Sequence, residues 1–241
     1  MKFIVEKSFF DKIDNACFGV LIVKGIDNTK DYQFIDELLI NSCQKVASDF
    51  EEVNVKQDSH IENYREAFRK VGINPNKFMC SIEALVTRVK KNKNVPNINP
   101  IVDLTNALSL KYLIPLGVHN IDSFDGDIEF RLGKESDIFI PMGKDFEDRE
   151  MINSDEYVYV SGSDVKTRRW AWRQGERGKI TNKSSNIFIP IDGFVDINKN
   201  EIIELRDELA KIFKDKLNTE VKVGYVDKDN REFIIEEDSM I

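Results

Sequence analysis

The chain has 241 residues but only two histidines and three cysteines, and Cys17, Cys43 and Cys80 stand far apart with no Cys-x-x-Cys pair. A disulfide framework or a thiolate metal site needs closer or more numerous cysteines, so free buried thiols in a reducing cytosol are expected. No stretch approaches the roughly 18 consecutive apolar residues of a membrane span. Glu6 and Asp11 interrupt what would be the apolar core of a signal peptide, so a cytoplasmic protein with no membrane partner is expected. A nucleophile elbow, a phosphate-cradling glycine loop and a dinucleotide fingerprint are also missing, which leaves no expected dinucleotide or other cofactor. Neither histidine belongs to a metal-ligand spacing, so no metal is expected. With no repeat, low-complexity tract or Pro/Gly/Ser linker, residues 1–241 read as one domain.

Positive charge is in short supply. Lys and Arg number 35 against 43 Asp and Glu, a net charge of −8. That balance excludes a protein that coats nucleic acid through bulk charge, and leaves room only for a local basic site.

What is present is 41% hydrophobic residues, enough for a sizeable core, in alternating periodicities. Lys2–Val5 and Phe18–Lys24 read as strands, the second a continuous apolar run suited to a position covered on both faces. Phe34–Phe50 carries a helical stripe, and Tyr64, Ala67, Phe68 and Val71 mark a second helix that Gly72 ends. Ser81 opens a third helix over Ile82–Lys91, and Pro100 sits at the first turn of a fourth, where a missing N–H costs nothing. From Ile128 to Ile191 short strands take over (IEF, DIFIP, YVYVS, RRWAW, NIFIPI), expected to share one sheet under the earlier helices. Asn198 with Glu201 suggests a capping box for a last helix, and Val221, Val223 and Tyr225 alternate as a strand. The class is mixed α/β, or α+β.

The most unusual segment is Asp164–Lys183. It holds Lys166, Arg168, Arg169, Arg173, Arg177, Lys179 and Lys183 together with both tryptophans, Trp170 and Trp172. Read as a strand, it turns the two indoles to one side and Arg169, Ala171 and Arg173 to the other. Cations beside flat rings suit a sugar–phosphate chain ending in an unpaired nucleotide. The structural alternative is a hairpin whose arginines pair with the acidic run Asp145–Glu150 while the tryptophans anchor the core. Arg88, Lys90, Lys91 and Lys93 end a helix, where the dipole favours cations without any ligand. His60 reads as a surface or capping residue, and His119 as a lone loop histidine.

Asn99-Pro100-Ile101-Val102-Asp103-Leu104-Thr105-Asn106 resembles the Asn-x-Val-Val-Asp-x-Thr-Asn signature of the B3/B4 domain in the phenylalanyl-tRNA synthetase β subunit. Pro115, Leu116 and His119 resemble that family's Gln-Pro-Leu-His stretch, with Gly117 and Val118 inserted. Arg69-Lys70-Val71-Gly72-Ile73 looks like a helix end there, and Ser184–Ile189 like the strand that leads to a glutamate. The glutamate's position falls at Pro190, or at Asp192 with a short shift. Free-standing members of the group carry Arg-Arg-Trp-x-Trp-Arg-Gln in place of the synthetase's double-glycine loop, as Arg168–Gln174 does here, so the resemblance does not imply the synthetase's pocket specificity.

The resemblance implies a central sheet covered by helices, and a tRNA-binding protein acting in trans on the aminoacylated 3′ end. In the synthetase the domain hydrolyses the ester of a wrongly attached amino acid. His119 would orient the water or a ribose hydroxyl and Asp192 would take the ammonium. Asn99, Asp103, Thr105, Asn106, Trp170, Trp172 and Gln174 would bind substrate, and Arg168, Arg169, Arg173, Arg177 and Lys179 would hold RNA. Helix-start and turn bonding explains Asn99, Asp103 and Asn106 without any substrate, and for these three it is the preferred reading. A non-catalytic binder of RNA ends or amino-acid-like molecules, and a scaffold that has lost the pocket, stand as alternatives. Aminoacylation itself is not expected.

Overall fold

The computed structural model describes residues 1–236. Two sheets carry the fold. The smaller is built on β2 (Ala16–Lys24), flanked by β11 (Glu220–Asp227) and β10 (Ile187–Phe194), with β3 (His119–Asn120) on the far edge of β10. The larger runs in the order β12 (Glu232–Ile234), β1 (Lys2–Val5), β4 (Ile128–Leu132), β7 (Tyr157–Ser161), β8 (Asp164–Arg168), β5 (Ile138–Phe139), β6 (Glu150–Met151), with β9 (Arg173–Gln174) also paired to β8. Pairing is antiparallel except between β1 and β4 and between β5 and β8.

Strand parity assigns the faces. Along β2, Leu21 and Val23 join one apolar cluster while Phe18, Val20 and Ile22 join another. Ile187, Ile189 and Ile191 of β10 join the first cluster, and Phe188 and Phe194 the second. The first face packs on α2 (Gln33–Asp49), α5 (Pro100–Tyr112) and α6 (Lys199–Leu217), with Ile202, Leu205, Leu209 and Phe213 as the α6 stripe. The second face meets Phe3, Val5, Phe130 and Tyr159 of the larger sheet, and α1 (Lys7–Lys12) adds Phe9 and Phe10. Even-numbered residues of β10, Asp192 among them, therefore point between the two sheets.

The remaining helices, α3 (Ser59–Lys70) and α4 (Ser81–Asn92), close the side of this inter-sheet core. They are tied by a buried ion pair in which Arg65 Nη1 reaches Glu83 Oε1 and Oε2 at 2.7 and 2.9 Å. Asp58 caps α3, accepting the His60 and Ile61 amides. Gly72 follows α3 at φ +82°, the left-handed turn that glycine makes without strain.

Three expectations are corrected. The strands from Ile128 to Ile191 do not share one sheet, because β10 pairs with β2 and β3 in the smaller one. RRWAW is not a strand. Arg169 (φ 48°) and Trp170 (φ 60°) form a left-handed turn between β8 and β9, held by Trp170 N donating to Tyr157 O at 2.8 Å. Asn198 is the N-cap residue of α6 but makes no capping-box bond. Its side chain instead accepts from Phe194 N at 2.8 Å and donates to the Tyr64 hydroxyl at 2.9 Å.

Candidate functional site

A cleft of about 300 Å³ opens where the two sheets, α4 and α5 meet. Its floor is Asp192. The carboxyl is 2% exposed, and its Oδ1 accepts from the Tyr159 hydroxyl at 2.8 Å and from Trp170 Nε1 at 2.7 Å. The Tyr64 hydroxyl donates to the Asp192 carbonyl at 2.9 Å, fixing the backbone too. No hydrogen bond within the described residues engages Oδ2. Burial raises the carboxyl to about 6, although both donors pull the other way. Asp192 is thus an anion near neutrality, its charge poorly solvated and half its acceptor capacity uncommitted.

The left-handed turn makes this possible. It drives the Trp170 indole into the inter-sheet core against Phe9, Phe68 and Phe194, with 0% exposure. Two consecutive non-glycine residues in that region are costly, on the order of 1–3 kcal/mol each. Glu156 offsets the cost by accepting from Arg168 Nε and Nη2 and from Arg169 Nη2, at 3.0, 2.6 and 2.7 Å. Glu150 takes the remaining Arg168 nitrogen. Beyond the turn, Ala171 O accepts from Ser81 N at 2.8 Å, joining α4 to the cleft wall. Trp172 lies half-buried at the mouth, edge-on to Phe78 with centroids 4.7 Å apart.

His119 forms the opposite wall, paired across the β3–β10 ladder with Phe188 and stacked on its ring. Gln174 Nε2 donates to Val118 O at 2.7 Å and stands 3.3 Å from His119 Nδ1. The same nitrogen lies 3.3 Å from Gly178 O, and because an amide nitrogen carries only donors, its place beside the ring suits the tautomer with Nδ1 bare and the proton on Nε2. Burial, with the Lys166 charge adding to it, pushes the imidazole down to about 3, so it is neutral at physiological pH. Gly117 approaches Nε2 so closely that a Cβ there would lie 3.2 Å from it. Pro190 sits on the strand beside this wall. Its carbonyl accepts from Gly117 N at 3.0 Å, yet it has no N–H to return, so the ladder is broken at the cleft.

The other expected residues divide. Thr105 and Asn106 of α5 line the cleft; the Thr105 hydroxyl is spent on Val102 O at 3.0 Å, whereas the Asn106 amide bonds nothing among the described residues. Asn99 and Asp103 lie outside it, in a separate depression. Asn99 caps α5 through Val102 N at 3.1 Å, and Asp103 accepts from Ile98 N at 2.8 Å. Of the five expected RNA-binding cations, Arg168 and Arg169 are matched by Glu150 and Glu156, Lys179 by Glu176, and Arg177 by Asp164 at 3.6 Å. Arg173 has no ion partner among the described residues.

Sequence reasoning missed Tyr159, Tyr64 and Arg88. The α4 pattern contained the signal for Arg88: Ile82, Val86 and Val89 are buried, while Ser81, Ala84, Leu85 and Arg88 fall on one adjacent face that borders the cleft. None of the three cysteines lines the cleft, and burial raises Cys17 to about 11 and Cys80 to about 12. Among the described residues no group of acids, histidines and cysteines could hold a metal ion, and no helix is long and apolar enough to cross a membrane.

The B3/4 domain family matches residues 63–221, a span that contains every wall of the cleft. The phenylalanine–tRNA ligase beta subunit of Idiomarina loihiensis is 27% identical over 105 residues, covering 43% of this chain and 13% of that protein. This chain thus spans only a small part of the curated relative's length. An N-terminal fragment of the phenylalanyl-tRNA synthetase beta subunit from Pyrococcus horikoshii aligns over 91% of this chain and 49% of its own, with a TM-score of 0.45 and 9% identity. The family match takes in well over half of the sequence, and the chain belongs to the B3/4 domain family.

Proposed function

We propose that this chain acts as one cytoplasmic unit that binds the aminoacylated 3′ end of a tRNA and hydrolyses the ester of a wrongly attached amino acid. The observation that carries the reading is the Asp192 carboxylate at the floor of a cleft walled by His119, Gln174, Trp172 and Asn106. An amino-acid ester brings an ammonium group, a carbonyl oxygen and a ribose. The uncommitted Oδ2 of Asp192 receives the ammonium in a site where water competes weakly. His119, neutral with its proton on Nε2, donates to the carbonyl oxygen and so stabilises the oxyanion as water attacks. The carbon–oxygen bond to the ribose then breaks, and the water's proton passes to the ribose oxygen. The Asn106 amide orients the water. Catalysis rests on positioning and electrostatics, with no residue required to change its charge.

The test is ester release from a panel of mischarged tRNAs by the pure protein. Release from a subset supports the reading. Tight binding of non-hydrolysable aminoacyl-adenosine amides without any release favours the non-catalytic binder instead.

A further inference from the structure

Among the described residues only two cations line the cleft, Arg88 from α4 and Arg173 from β9, and they belong to different elements. Both are exposed, and neither side chain has an ion pair or hydrogen bond among the described residues. Their neighbours behave otherwise. Lys166, Arg168, Arg169, Arg177 and Lys179 all reach carboxylates within the fold. Among the described residues the sole acid lining the cleft is Asp192, sunk at the floor. The rim is therefore a place where positive charge is left uncompensated, at the mouth of a cleft whose depth is negative. Trp172 also lines the cleft, half-buried, with the Arg173 guanidinium 5.8 Å from its ring centre.

We infer that Arg88 and Arg173 form a seat for the phosphate of the terminal nucleotide, whose base lies on Trp172 while the amino acid enters the cleft. The inference rests on the aminoacyl-end reading above and adds the group that recognises the nucleotide. The polarity fits one ligand in one direction: cation at the floor, anion at the rim, a flat ring beside it. Guanidinium groups suit phosphate because their fork presents paired donors. An acidic chain gains little from long-range attraction, so the anchoring charge has to be local.

The experiment measures Kd for 3′-aminoacylamino-3′-deoxyadenosine, an amide that cannot be hydrolysed, with and without a 5′-phosphate and across several amino acids. The phosphate is expected to tighten binding on the order of tenfold, less at high salt. In Arg88→Gln and in Arg173→Gln the ratio of the two Kd values should fall toward one. A ratio of one in the unaltered protein, or a gain that survives in the double variant, overturns the seat while leaving the deacylase reading intact. An arginine-dependent gain together with no ester release from the tRNA panel does the reverse. 5′-AMP, which lacks the amino acid, should bind more weakly than the phosphorylated amide; equal affinity overturns the assignment to an aminoacylated end.

Discussion

His119 and Asp192 are both buried titratable groups, but burial moves them in opposite directions. The His119 imidazole falls to about 3 from its ordinary value of 6.5. An unfolded chain therefore takes up its proton first on acidification, and this residue contributes a loss of stability as pH drops through the interval from 6.5 to 3. The Asp192 carboxyl rises to about 6 from 3.8, so the folded state protonates first and the cost of burying its charge is relieved as pH drops through that window. His119→Phe should lose less stability than the unaltered protein between pH 7 and pH 4.5, compared by urea unfolding at both. Equal losses would show that the imidazole is not held neutral by the fold. Asp192→Asn keeps an oxygen for Tyr159 and Trp170 and removes the buried charge, so stability at pH 7 should hold or rise. Its affinity for an aminoacyl-adenosine amide should drop roughly 30-fold or more, the cost of leaving an ammonium unpaired in a desolvated site. Affinity of the unaltered protein should decline as pH falls through about 6, where the carboxylate is lost.

At the scale of elements, the turn from Arg168 to Trp172 organises the cleft. Glu156 accepts from both arginines and is itself buried, so Glu156→Gln leaves Arg168 and Arg169 without a full counter-charge. Breaking a buried pair from one side costs about 3–5 kcal/mol. That loss should appear in chemical unfolding, accompanied by altered tryptophan fluorescence as Trp170 leaves its packing. A change under about 1 kcal/mol, the worth of an exposed pair, would contradict the role given to Glu156. Sequence pattern could not supply this turn. Arginine and tryptophan rarely adopt positive φ, and tertiary contacts hold them there: Glu156, Tyr157 and Asp192 by hydrogen bonds, and Phe9, Phe68 and Phe194 by packing on Trp170. Helix limits were legible because Gly72 and Pro100 act through local backbone geometry. The sheet to which β10 belongs was not, since a strand buried on both faces has the same pattern in either sheet. The sites of Asn99 and Asp103 show the same limit: their spacing marks a helix start, and it is the tertiary fold that turns them away from the cleft.

The whole molecule sets how a ligand approaches. With a net charge of −8 the protein repels a polyanion at long range, so the proposed association with an RNA end would have to rest on the rim arginines rather than on a general field. The sheet-on-sheet arrangement decides what the ligand meets. Asp192 faces the inter-sheet core because β10 alternates, Tyr159 comes from the other sheet, and Trp170 from the turn beyond β8. His119 was legible as a candidate because of its place after Pro115 and Leu116, and Tyr159 was not, since nothing in YVYVS distinguishes a core tyrosine from a carboxylate's partner. The most direct measurement is single-turnover ester release from mischarged tRNA, made with the unaltered protein and with Asp192→Asn. The account predicts release from a subset of mischarged tRNAs by the unaltered protein, and a rate lower by at least tenfold for the variant at subsaturating protein, in line with the lost ammonium contact. Equal release rates for both proteins, with stability intact, would contradict it.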